Sequence, residues 1–100
     1  MATFMIERKI PDAAGLTADD LQGIAKTSCA VVDELGVADT WHHSYVAGDK
    51  TYCVHETDDI ETVREHARRG GFPADLVVGV AHVIGPETAS AQATGTEVAT

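Results

Sequence analysis

Five histidines occur in this 100-residue chain, and four of them, His42, His43, His55 and His66, fall in one central stretch with Cys53. Imidazole and thiolate are ligands that suit zinc, nickel, copper or iron. The same groups serve proton transfer and nucleophilic attack, because imidazole titrates near neutral pH and a thiol is activated by a neighbouring base. There is no CxxC and no HxxxH, so the linear spacing assembles no zinc finger and the fold has to gather the ligands. GxGxxG, P-loop and GxSxG patterns are also missing, which leaves nucleotide-dependent and α/β-hydrolase chemistry without support.

The elements that must position these residues read as β-α-β-β-α-β. Residues 3–10 (TFMIERKI) alternate, with Phe4, Ile6 and Arg8 on one side and Met5, Glu7 and Lys9 on the other, as in a strand. Thr17 can cap a helix with Asp20 three residues on. Leu21, Ile24, Ala25, Ser28, Val32 and Leu35 follow at helical spacing, and Gly36 stops the run, which predicts a helix over 18–35. Residues 40–47 (TWHHSYVA) and 51–56 (TYCVHE) form a hairpin around the turn at Gly48, Asp49 and Lys50. A second helix starts at an Asp58 cap and ends at Gly70 and Gly71, with Ile60, Val63 and Ala67 facing inward. Residues 76–84 (LVVGVAHVI) read as an apolar fourth strand. Right-handed crossovers then place both helices on one face of an antiparallel four-stranded sheet, the ferredoxin-like α+β sandwich. The domain is expected over residues 1–84, with a flexible tail of Pro, Thr, Ala and Ser over 85–100.

The hairpin register decides which side chains meet. A two-residue turn pairs 47 with 50, so that His42 faces His55 and Cys53 lies diagonal to His42. A three-residue turn pairs 47 with 51, so that His43 faces His55 and Tyr45 faces Cys53. Opposed Cβ atoms lie about 4.5–5.5 Å apart, a workable spacing for sharing an ion. Glu7 can add a carboxylate if the first strand lies beside the third. Cys29 and His82, set among apolar positions, read as structural.

Composition narrows the partners. Seven Lys and Arg stand against sixteen Asp and Glu, a net charge of −9, which argues against nucleic acid. No apolar run approaches the roughly 20 residues of a membrane span. The opening MATFMIERK lacks a secretory pattern, so a cytoplasmic protein with reduced thiols is expected. A chain of this size buries roughly 60–65% of its unfolded surface. An uncovered apolar sheet face would need a second subunit, and a homodimer is the expected assembly.

The segments FMIER (4–8), LQGIAKTSCAVVDELG (21–36), WHHSYVAGDKTYCV (41–54) and REHARRGGFPA (64–74) resemble the small bacterial nickel-binding, nickel-responsive proteins, long catalogued as a domain of unknown function. The resemblance implies a ferredoxin-like homodimer that holds nickel at its surface and sequesters or detoxifies it. The family motif maps onto Glu7, His43, Tyr45, Cys53 and His66. His42 and His55 replace residues that are usually apolar and aromatic in that family, and add candidate ligands.

The leading expectation is therefore a divalent-metal protein, Ni2+ first with Zn2+ or Cu2+ as competitors, using His43 and His66, then Cys53 and His55, then His42 and Glu7. One rival is a small cofactor-independent enzyme of isomerase, cyclase or monooxygenase type, with Tyr45, Cys53 and His66 in a cleft between sheet and helices. Another is an interaction subunit whose histidines are inert.

Overall fold

The computed structural model describes residues 1–90. Strand β1 (Ala2–Lys9) leads through a 3₁₀ turn at Ala13–Gly15 to helix α1 (Ala18–Leu35). Strands β2 (Asp39–Ala47) and β3 (Lys50–Thr57) form the hairpin, followed by helix α2 (Ile60–Gly70), strand β4 (Leu76–Gly79) and a 3₁₀ turn at Pro86–Ser90. The sheet order is β2-β3-β1-β4, and every pairing is antiparallel. This is the expected ferredoxin-like topology. Among the described residues no helix is long and apolar enough to cross a membrane.

Local chemistry sets the boundaries. Thr17 and Asp20 form a reciprocal capping box: the Asp20 amide donates to Thr17 Oγ1 at 3.1 Å, and the Thr17 amide donates to Asp20 Oδ2 at 3.1 Å. Gly36 ends α1 in the left-handed region, at φ 65°. The cap of α2 is Asp59, not the expected Asp58, because Asp59 takes the extended conformation and accepts from the Glu61 amide at 2.9 Å.

Strict alternation in β1 and β3 makes two unlike faces. Phe4, Ile6, Cys53 and Val63 are buried together beneath the helices, and Ile60 and Val77 pack against them. Arg8, Thr51, His55 and Thr57 share that inner side and are also buried.

β4 is shorter than the expected 76–84. It pairs with β1 only from Phe4 to Glu7. The Val80 amide still donates to the Thr3 carbonyl at 2.8 Å, but β1 begins at Ala2. The chain beyond therefore has no ladder to join, and Val83 is 85% exposed. Of the expected tail, residues 86–90 form the terminal 3₁₀ turn without burying a residue, and 91–100 lie outside the described residues.

Candidate functional site

The central residues divide between the two faces of the sheet. Beneath it, β3 carries His55 and Cys53, α2 carries His66, and α1 contributes Ser28. Both imidazoles are 1% exposed. His55 Nδ1 donates to Asp39 Oδ1 at 3.0 Å. The His55 ring meets His66 edge-on, with centroids 4.8 Å apart. His66 Nε2 lies 3.0 Å from Ser28 Oγ and 3.3 Å from the Ser28 carbonyl. A carbonyl only accepts, so Nε2 carries the hydrogen and Nδ1 presents a lone pair. That Nδ1 atom and Asp39 Oδ2 are buried without a hydrogen-bond partner among the described residues. Burial pushes the pKa of His66 down, and His55 pushes it further in the same direction, against weaker upward pulls from Ser28 and Asp39. His66 is thereby favoured as the neutral imidazole.

Arg8 closes this inner cluster. Its Nε donates to Cys53 Sγ at 3.4 Å, its Nη1 donates to the Pro73 carbonyl, and its guanidinium lies 5.5 Å from the centre of the Phe72 ring. Phe72 in turn stacks on His66 at 5.7 Å. Above these groups a cavity of about 260 Å³ opens between α1 and the sheet. Leu21 and Ile24 of α1 and Trp41 and Val46 of β2 wall it, and Cys53, His55 and His66 line it. Leu21 and Ile24, two of the apolar residues at helical spacing, are each 37% exposed.

The hairpin follows neither expected register throughout. Ala47 pairs with Lys50, as a two-residue turn requires, and this register runs back to His43 opposite Val54. An irregularity between Trp41 and His43 then shifts the ladder, so that Trp41, not His42 or His43, faces His55. The extra residue is His42, and an inserted residue in one strand bulges and reorients its neighbours. His42 Nε2 reaches Glu56 Oε1 at 2.9 Å, while His43 packs edge-on against Tyr45 at 5.0 Å. Glu56, Val54 and Tyr52 belong to the outer set of β3, so His42 and His43 both project to the open face of the sheet.

Glu7 lies on that open face as well, and its Oε1 accepts from Lys50 Nζ at 2.9 Å. This hydrogen bond is the main cause of the raised Lys50 pKa. Tyr45 faces Tyr52, not Cys53, and is 58% exposed. The structure thus brings Cys53, His55 and His66 together inside, places His42, His43 and Glu7 on the outer face with β3 between Glu7 and the two histidines, and separates His43 from His66 by the thickness of the sheet. Tyr45 is likewise separated from Cys53 and His66. Among the described residues no three His, Cys, Asp or Glu side chains form a group that could hold a metal ion.

Sequence reasoning missed Asp39 as the His55 partner, because it stood just outside the expected strand. It also missed the bulge, which no glycine or proline marks. Arg8 had a signal: its alternation with Phe4 and Ile6 already placed it inside.

Comparison with known proteins bears on this arrangement. Among solved structures, the crystal structure of SCO4226 from Streptomyces coelicolor A3(2) matches with a TM-score of 0.70 at 24% sequence identity, covering 83% of this chain and 100% of that one. That likeness carries the fold. No curated protein matches. The family model described as "Nickel responsive protein SCO4226-like" matches residues 4–80. That range runs from β1 through β4 and takes in both faces of the sheet, and the chain belongs to the SCO4226-like nickel responsive protein family.

Proposed function

We propose that this protein binds nickel as cargo, reversibly, through imidazole and carboxylate groups on the open face of its sheet. The observation that carries the reading is the bulge, which turns His42 to the same side as His43 and Glu56 and leaves both imidazoles exposed. Imidazole and carboxylate suit divalent nickel, and an exposed site exchanges its ion with solvent. The buried imidazoles fit this role less well, because each is 1% exposed and cannot exchange an ion freely with solvent.

One subunit supplies an incomplete set, so water or a second copy has to complete the coordination. Exposed apolar side chains on the open face favour a second copy, which would make the protein a homodimer: Leu76 and Val78 there are 51% and 48% exposed, beside half-buried Met5 and Val54. The role that follows is cytoplasmic sequestration or detoxification of the metal. Copper and zinc compete for the same donors by their place in the affinity order.

Calorimetric titration of tag-free, chelator-stripped protein with nickel tests the reading. The double variant His42→Ala, His43→Ala should weaken nickel binding by about tenfold or more, the scale of losing a charge-directed ligand. The variant His66→Phe should leave it within about twofold. Equal loss in both, loss only in His66→Phe, or no saturable binding by the unaltered protein overturns it.

A further inference from the structure

The inner cavity has a charge problem that the nickel reading does not use. Arg8 is 3% exposed, and among the described residues no carboxylate lies within salt-bridge distance of it. Its neighbours are the Cys53 sulfur, the Pro73 carbonyl and the Phe72 ring. Nη2 has no acceptor among the described residues. A buried cation is costly unless it is paired and hydrogen-bonded. The buried carboxylate of the inner side, Asp39, accepts from His55 through Oδ1 and stands opposite Thr57 of β3, six register positions from the Thr51 that faces Arg8.

We infer that the cavity is a binding site for a small, mostly apolar carboxylic acid, whose carboxylate pairs with Arg8 and whose body lies against Leu21, Ile24, Trp41 and Val46. Three features select this class. Arg8 lines the cavity, and its Nη2, the guanidinium nitrogen without an acceptor among the described residues, can donate to a carboxylate oxygen. The walls above it are hydrocarbon and indole, which favour a ring or branched chain over a polar body. The volume, about 260 Å³, falls below the roughly 300–1,000 Å³ of sites for drug-sized ligands, so the occupant is smaller than those. A neutral apolar molecule would leave Arg8 uncompensated. Inorganic phosphate would leave most of its oxygens against apolar walls. Net charge does not explain the site either, because the chain carries −9 and its average field repels anions.

The sole tryptophan of the chain, Trp41, stands in the cavity wall and reports occupancy. Full-length protein, kept in chelator so that metal plays no part, is titrated with sodium benzoate, benzamide and inorganic phosphate while Trp41 fluorescence is followed. Benzoate should give a saturable change with a dissociation constant on the order of 1 mM or tighter, within the efficiency expected of so small a ligand. Benzamide, its neutral isostere, should bind about tenfold more weakly. The variant Arg8→Met should erase that preference. Because Arg8 is buried, a second variant keeps the test decisive: Ile24→Phe fills the mouth from a half-exposed helix position and should block both probes while Arg8 stays in place. Benzamide binding as well as benzoate, phosphate binding as tightly as benzoate, or no response to any of the three overturns the inference. None of these results bears on the outer nickel ligands.

Discussion

Replacing His66 by phenylalanine and lowering the pH test one buried group from two directions. In the folded protein the pKa of His66 lies below its ordinary 6.5, first because burial strips water from the imidazolium and then because His55 stands edge-on at 4.8 Å. The unfolded chain has neither effect and takes up the proton first as the pH falls. Above about pH 6.5 the ring is neutral in both states and contributes no slope. Below it the unfolded state binds more protons, so stability falls with falling pH until the folded-state pKa is passed. One such group gives at most about 1.4 kcal/mol per pH unit below about pH 6.5. Over one pH unit that is a large share of the roughly 5–15 kcal/mol that holds a typical domain together. The phenylalanine variant loses the contacts with Ser28, worth about 0.5–1.5 kcal/mol, but as an offset that does not change with pH. Urea midpoints measured across this range should fall more steeply for the unaltered protein than for His66→Phe. Parallel curves would refute the assignment of acid sensitivity to His66.

Other substitutions probe other parts of the fold. Ile6→Ala empties a fully buried position, 0% exposed, and should cost about 2–5 kcal/mol by urea denaturation with the slope of the transition unchanged. Thr17→Ala removes one half of the capping box and should cost about 1 kcal/mol, visible as a lower thermal midpoint. Asp39→Ala leaves His55 Nδ1 without its buried acceptor and should cost about 1–3 kcal/mol, with the His55 ring resonances shifting in NMR spectra.

How far the sequence reached depends on how local each signal was. The span and cap of α1 were readable because Thr17, Asp20 and Gly36 act on their immediate neighbours, and each is found in the predicted role. The inner face of β1 was readable because period-two alternation survives any change of register. The hairpin could not be settled in this way. Its turn follows the two-residue rule, yet the bulge at His42 undoes the consequence by moving Trp41 into the place expected of a histidine. A bulge of this kind needs no special residue, so its position depends on packing across the sheet. β4 was overread for the opposite reason. Val83 and Ile84 carry strand propensity, but propensity creates no partner where β1 has already ended. The candidate ligands followed the hairpin: their types were legible, but which of them share a face was not.

The bulge also governs how one molecule meets another along its backbone. β2 and β4 are the outer strands of the sheet, and outer strands offer unpaired amides and carbonyls as templates for fibre growth. β4 offers only four residues. β2 is longer, but the extra residue at His42 breaks the regular repeat that an incoming strand would have to copy. Straightening β2 by deleting His42 would restore an unbroken edge beside exposed Tyr45 and Val46, and with it a path to edge-to-edge polymerisation.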